Sequence, residues 1–140
     1  MATNVKKIYA KELTGEELQK YEFLLQGEEV LMALKVQIGR DIFIATNKKL
    51  LFIDIQGITG KKVEYTIIPL TKINCFSVET AGTFDIDAEF KVWINGIGLR
   101  EFELVPTLKE AYEKGRTGQD TASTRILQLA ELLNKSVLGE

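Results

Sequence analysis

The chain has 140 residues, 45% of them apolar and 27% charged, with 18 lysines and arginines against 20 aspartates and glutamates. This composition is typical of one globular domain with its own core, and we treat residues 1–140 as a single domain. The net charge of −2 disfavours a nucleic-acid-binding surface, which needs concentrated positive charge.

The amino-acid composition excludes most of the familiar catalytic and metal-binding sites. There is no histidine and one cysteine, Cys75, so histidine-dependent triads, histidine-ligated zinc and an internal disulfide are excluded. We expect no catalytic residues, no cofactor and no metal. Because no apolar run approaches the roughly 20 residues of a membrane span, and the first residues lack a signal-peptide core, we expect a cytoplasmic protein.

A short helix is predicted over residues 14–25. Thr14 and Glu17 have the spacing of a capping box, and Leu13 and Leu18 that of a hydrophobic staple. The apolar stripe of this helix is short, so the helix needs to pack on something larger.

Residues 30–105 alternate between apolar and polar at period two, which is typical of β-strands. The connections are short, the first being a turn at Gly39–Arg40, so neighbouring strands are expected to be antiparallel. The seven predicted strands are Val30–Gln37, Asp41–Thr46, Lys49–Gln56, Lys62–Ile68, Ile73–Thr80, Ile86–Asn95 and Leu99–Val105.

The chain becomes polar after Pro106. Residues 106–119 are predicted to be an exposed polar excursion with at most one frayed helical turn. Residues 120–138 are predicted to form an amphipathic helix that is capped by Asp120 or Thr121 and ended by Gly139. Its apolar stripe is Ile126, Leu129, Ala130, Leu133 and Val137. The fold class is therefore mainly β, a small barrel or sandwich of four plus three antiparallel strands capped by a C-terminal helix.

Three stretches of the strand region are distinctive: residues 42–50 (IFIATNKKL), 54–65 (DIQGITGKKVEY) and 76–85 (FSVETAGTFD), the last followed by Ala88–Glu89 and Trp93–Ile94. Together they resemble the bacterial pleckstrin-homology (PH) domain family over roughly residues 25 to 105. The resemblance implies a seven-stranded PH-like barrel with a C-terminal helix. It also implies closed rings of identical subunits and no enzymatic activity. The charged segment 107–118 and the early helix depart from the family pattern.

Both faces of the first four predicted strands carry apolar residues. In an antiparallel sheet with one solvent-exposed face, apolar and polar residues are expected to alternate along each strand. The predicted helix of about 12 residues covers only part of such a sheet, so we expect a second subunit to contribute. We assign Leu31, Phe43 and Phe52 to this interface. Trp93, on the polar side of the strand over 84–95, is a further anchor, with packing over a neighbouring strand or beneath the polar excursion as the alternative.

Basic residues support an alternative hypothesis. Lys48, Lys49, Lys61 and Lys62 occupy two turns and are candidates for binding an anionic ligand or a membrane surface, against the simpler interpretation of solvated turn charges. In eukaryotic relatives of the fold the first hairpin holds inositol phosphates with several basic residues. Here only Lys35 and Arg40 flank that hairpin, so the chain departs from the phosphoinositide pattern.

The strand over 84–95 also carries Asp85, Asp87 and Glu89 on its polar side, whereas Phe84 and Ile86 are predicted to point inward. Alternate residues of a strand lie about 7 Å apart, too far for three carboxylates to share a small ion. Cys75 is predicted to be a buried structural thiol. We therefore predict a non-catalytic scaffold or protein-interaction module that forms a homo-oligomer, with a further protein partner left open.

Overall fold

The structure, a computed structural model, describes residues 5–35 and 41–139. The predicted turn at Gly39–Arg40 and the last two residues of the first predicted strand, Val36 and Gln37, lie outside the described residues. The elements are β1 (Val5–Glu12), α1 (Gly15–Gln19), α2 (Glu22–Leu25), β2 (Val30–Lys35), β3 (Ile42–Thr46), β4 (Lys49–Gln56), β5 (Lys62–Pro69), a 3-10 turn (Leu70–Lys72), β6 (Ile73–Glu79), β7 (Ala88–Ile94), β8 (Gly98–Pro106), α3 (Leu108–Thr117) and α4 (Thr121–Val137).

The strands lie in the order β5-β4-β3-β2-β1-β8-β7-β6. β1 joins the two halves, because it pairs antiparallel with β2 and parallel with β8. Among the described residues the first sheet thus has five strands and the second has three, and the two form a sandwich rather than a closed barrel. The mainly-β fold is confirmed, but four plus three strands is wrong because the sequence analysis missed β1.

The main core lies between the two sheets and beneath α4. Four aromatic rings pack through it, with centroid distances of 5.0 Å from Phe43 to Phe52, 4.6 Å from Phe52 to Phe102 and 4.7 Å from Phe90 to Phe102. On α4 the predicted stripe is buried at Ile126, Leu129 and Leu133, whereas Val137 is exposed. The C-terminal helix therefore covers this core as predicted, capped by Asp120.

A second, smaller core lies on the outer face of the first sheet. Leu25 of α2 is buried against Ile42, Ile44, Leu51 and Ile53. Leu13, Leu18, Tyr21 and Leu24 pack around it. The chain's own N-terminal helices therefore cover the centre of this face, and the part they leave uncovered lies toward β5.

The predicted helix over 14–25 is two short helices. The capping box is present, with the Thr14 hydroxyl accepting from the Glu17 amide and the Glu17 carboxylate accepting from the Thr14 amide, each at 3.1 Å. The helix breaks at Lys20 and Tyr21, and α2 ends at Gln26, whose φ of 50° is left-handed.

The segment predicted as a polar excursion is a ten-residue helix, α3. Thr107 and Glu110 form a capping box like the one at Thr14, and Gly118 ends the helix with a φ of 79°. No residue of α3, which lies wholly within the described chain, is buried. The helix therefore forms from its local signals and not from a buried apolar stripe.

Candidate functional site

An apolar surface remains on the outer face of the first sheet, where β5 forms its edge. Phe23 of α2 and Tyr65 and Ile67 of β5 are 59%, 41% and 44% exposed. The rings of Phe23 and Tyr65 meet edge to face with centroids 5.7 Å apart. We call these three residues the edge patch. Large apolar groups exposed together in this way are typical of protein interaction sites.

The edge patch adjoins an open strand. Among the described strands β5 pairs only with β4, over eight residues from Lys49–Pro69 to Gln56–Lys62. An edge strand of this length presents unpaired backbone groups that can hydrogen-bond to another chain. Side chains and backbone at β5 thus offer one continuous surface to a partner.

The structure corrects the predicted interface at two residues. Phe43 and Phe52 are 1% and 4% exposed, because they point between the sheets and not toward the outer face. Leu34 pairs with Phe43 and therefore shares its face, so the sequence analysis had β2 and β3 out of phase. Phe43 and Phe52 stabilise the core and are not accessible to a partner.

The other two predicted interface residues lie on separate surfaces. Leu31 of β2 is 40% exposed and faces α4, away from the edge patch. Trp93 of β7 is half-buried in a cross-strand row with Cys75 of β6 and Leu99 of β8. The four residues therefore do not form one interface.

Trp93 and Cys75 lie beside the second open edge. Among the described strands β6 pairs only with β7. An irregularity between Ile73 and Cys75 changes the phase of β6, so Cys75 is exposed and Phe76 and Val78 pack on the core. The prediction that Cys75 is buried is wrong for this reason.

The four candidate lysines do not converge. Lys49 lies opposite Pro69 and Lys62 opposite Gln56, so the two lysine pairs lie at opposite ends of β4, about 23 Å apart at the usual rise of a strand. Lys61 and Lys62 are exposed, as is Lys48. One anion site built from all four residues is therefore ruled out by the strand register.

Lys49 and Lys35 have structural roles. The Lys49 ammonium donates to the Leu24 carbonyl and pairs with Glu28 at 2.8 Å, which fastens α2 to the sheet. Burial alone would raise the pKa of Glu28, but hydrogen bonds from Lys49 and Thr46 outweigh it and lower the pKa. Lys35 pairs with Glu17 of α1, and its hydrogen bond is the main reason that the pKa of Glu17 falls to about 2. Arg40 lies outside the described residues.

Carboxylates gather on the outer face of the second sheet, but not as the predicted set. Glu89 aligns with Glu79 on β6 and Glu103 on β8. Asp85 and Asp87 precede β7, which begins at Ala88, and Phe84 and Ile86 are 97% and 43% exposed instead of pointing inward. Among the described residues no group of three or more acidic or cysteine side chains has the geometry of a metal site.

A cleft of about 480 Å³ under α3 contains a buried arginine. The Arg125 guanidinium pairs with both oxygens of Glu110, at 3.2 and 2.9 Å, and approaches Glu12 at 3.6 Å. Lys114 donates to the carbonyls of Gly82 and Asp85 at 2.7 and 2.6 Å. These ion pairs and hydrogen bonds hold α3 against the rest of the domain, so the cleft is the place where this helix packs.

Alternation along the strand predicted over Lys62–Ile68 places Tyr65 and Ile67 on the same apolar side, but it does not indicate that they are exposed. Phe23 lies outside the apolar stripe of the predicted helix, which is Leu18, Tyr21 and Leu25, and this was the available signal that it is exposed. What could not be read from the sequence is that α2, although Phe23 contacts Tyr65, leaves Tyr65 and Ile67 of β5 partly exposed. In the described part of the chain no helix combines the length and apolar character needed to cross a bilayer.

Comparisons with known proteins agree with this architecture. The family model for the bacterial PH domain matches residues 2–111, which includes β1. "Uncharacterized protein YjqA" of Bacillus subtilis is 44% identical over 97 residues, which cover 69% of this chain and 71% of that protein.

Two crystal structures also resemble the chain. A protein with a pleckstrin-homology domain from Shewanella loihica is 34% identical, with a TM-score of 0.65 over 96% of this chain and 99% of that one. A pleckstrin homology domain from Shewanella amazonensis is 37% identical, with a TM-score of 0.53 over 89% and 98%. The eight-stranded sandwich with its covering helix is thus that of a PH-like domain, and this chain belongs to the bacterial PH domain family.

Proposed function

We propose that this PH-like domain is a non-catalytic, cytoplasmic scaffold module that self-associates into a ring. The single observation that carries the proposal is the edge patch beside the open β5 strand. The backbone of β5 supplies hydrogen bonds, and Phe23, Tyr65 and Ile67 supply apolar area. The same partner can therefore use both the strand edge and the edge patch.

The two open edges of the sandwich differ, which favours a head-to-tail contact. β5 carries the edge patch, whereas β6 carries Cys75 and lies next to Trp93. A contact between unlike surfaces repeats from one copy to the next and closes into a ring when the rotation allows. We propose that β5 of one copy contacts the β6 side of the next, with Trp93 as an anchor there.

The exposed thiol of Cys75 supports the cytoplasmic part of the proposal. Free surface thiols persist in reducing compartments and tend to be oxidised outside them.

Disulfide cross-linking at the native cysteine tests the proposed contact. Cys75 is the only cysteine, so a second one placed at Tyr65→Cys or Ile67→Cys has a single native partner. With oxidised glutathione we expect covalent chains of two, three and more copies on a non-reducing gel. Ile97→Cys, on the β7–β8 turn and also exposed, is the matched control. We expect it to run mostly as the single, uncross-linked chain.

A further substitution, Cys75→Ser, separates the possible geometries. Combined with Ile67→Cys it should abolish the cross-linked chains. Cross-linked pairs that persist in this double variant would mean that two β5 edges meet each other, and cross-linking no greater than in Ile97→Cys would refute the contact altogether.

A further inference from the structure

A third stretch of strand edge is left open in the middle of the first sheet. β1 pairs with β2 only at Lys11–Lys35 and Glu12–Leu34, and the Leu13 amide then donates to the Ala33 carbonyl at 3.0 Å. The chain turns away at Thr14 to begin α1. Among the described strands none continues beside Val30–Met32 on that side. Backbone groups at such an edge need hydrogen-bond partners.

The opposite wall of this opening is α4. Cavities of about 420 and 350 Å³ lie between the strand and the helix, side by side at Leu31 and Gln128, which line both, and we treat the two together as one groove. We call it the β2–α4 groove. It runs along α4 from Thr121, beside Leu34, to Lys135, beside Glu29.

The dimensions of the groove suit an extended chain. The helix rises about 21 Å from Thr121 to Lys135 at 1.5 Å per residue, a length that about six residues of a strand span. An α-helix cannot pair with a strand edge through its backbone, because its own hydrogen bonds are internal. An open edge within a groove of this length therefore fits a β-strand.

The middle of the groove, around Leu31 and Gln128, is lined by uncharged side chains and favours an uncharged occupant. Leu31, 40% exposed, and the half-buried Leu132 provide apolar contact, while Thr121, Thr124 and Gln128 present hydroxyl and amide groups. The guanidinium of Arg125 is already paired with Glu110. Charged side chains occur at both ends of the groove. The exposed Glu12 lies 3.6 Å from Arg125 at one end. Glu29, Glu131 and Lys135 lie at the other end, where Glu131 and Lys135 pair at 3.5 Å.

We propose that the β2–α4 groove binds an uncharged, extended peptide segment of a partner protein, which adds as a strand to β2 at Val30–Met32. Such strand addition draws affinity from backbone hydrogen bonds and specificity from alternate side chains. This site shares no residue with the edge patch, so it gives a self-associating scaffold a second surface on which to carry a different protein.

Blocked hexapeptides that alternate Thr, Ser or Gln with Val, Ile or Leu are the probes. Fluorescein-labelled members are titrated with the full-length protein, and binding is followed by fluorescence anisotropy. Hydrogen exchange of the complex is expected to show protection at residues 30–32 and along α4. No peptide binding below about 1 mM, or protection elsewhere only, would overturn the proposal.

Backbone methylation distinguishes strand addition from simple apolar binding. Alternate amides of a strand point to the same side, so N-methyl groups at positions 1, 3 and 5 or at 2, 4 and 6 block different sides. We expect one of these two peptides to bind at least tenfold more weakly than the parent and the other to retain binding. Equal affinities for both methylated forms would show that the backbone is not recognised.

Filling the groove provides the test on the protein side. Gln128→Trp places a large side chain in it, whereas Leu127→Trp makes the same change at a neighbouring exposed position of α4 outside the groove lining. The first variant is expected to lose peptide affinity at least tenfold, with native mass and thermal unfolding like those of the second. Equal peptide binding by the two variants would refute the site.

Discussion

Glu89 is a carboxyl group whose ionisation is opposed by its surroundings. It lies in the cross-strand row between Glu79 and Glu103. Its pKa is raised, first by partial burial and then by the charges of Glu103 and Glu79. The folded protein therefore keeps a proton on Glu89 at a pH where the unfolded chain has lost it. In that window the free energy of unfolding decreases as the pH rises.

We expect Glu89→Gln to stabilise the protein at pH 7, by about 0.5 kcal/mol, because like charges across neighbouring strands repel. The gain should shrink below about pH 4, where the wild-type carboxyl is protonated in both states. Urea unfolding at the two pH values measures this difference. Glu16→Gln, on the exposed first turn of α1, is the control, and an equal gain at both pH values would contradict the explanation.

The faces of single residues were the weakest part of the sequence interpretation. Phe43 and Ile44 are adjacent in β3 and both buried, one between the sheets and the other under α2. When both sides of a strand are covered, alternation of apolar and polar residues disappears and with it the signal for which side is inner. The register with Leu34 decides this, and register depends on long-range pairing.

At the scale of elements, the predicted strands from β3 to β8 agree with the structure within about two residues. The errors occur where periodicity fails for a physical reason. In β6 the irregularity at Ile73–Cys75 reverses which residues point inward, and a single extra residue of this kind leaves no clear mark in sequence. α3 was missed for a different reason, since its capping box was visible but its apolar stripe was not.

The stability of α3 should depend on its cap more than that of a buried helix would. It is joined to the domain by Glu110–Arg125 and by Lys114, and it buries no residue of its own. Thr107→Ala removes the hydroxyl that accepts from the Glu110 amide and is expected to cost about 1 kcal/mol. Amide exchange should increase over residues 108–117 and stay unchanged in the sheets.

The matched control lies at the other end of the same helix. Thr117→Ala removes a hydroxyl that donates to the Glu113 carbonyl and accepts from the Gln119 amide, with no role in the N-terminal cap. Exchange in this variant should resemble that of wild type. If the two variants exchanged alike, the integrity of α3 would not rest on its N-terminal cap.

For the whole molecule, the proposed assembly predicts a native mass that is a multiple of 15.8 kDa. Light scattering after size exclusion should give this mass over a dilution series, with little effect of salt because the edge patch is apolar. Ile67→Lys should yield the single-chain mass, since it puts a charge into the contact. Ile97→Lys, the same change at an exposed turn, should keep the assembly. A single-chain mass for the wild type at every concentration would refute self-association.

The position of β1 in the sheet order affects the order in which the two sheets can fold. β2 to β5 are joined by short connections and can pair soon after they are made, but Val5 at the start of the chain pairs with Glu101 near its far end. Closing so long a loop is entropically costly and slow compared with forming a hairpin. On the ribosome β1 must therefore wait until β8 has emerged. Joining of the two sheets is accordingly expected to be a late event in folding.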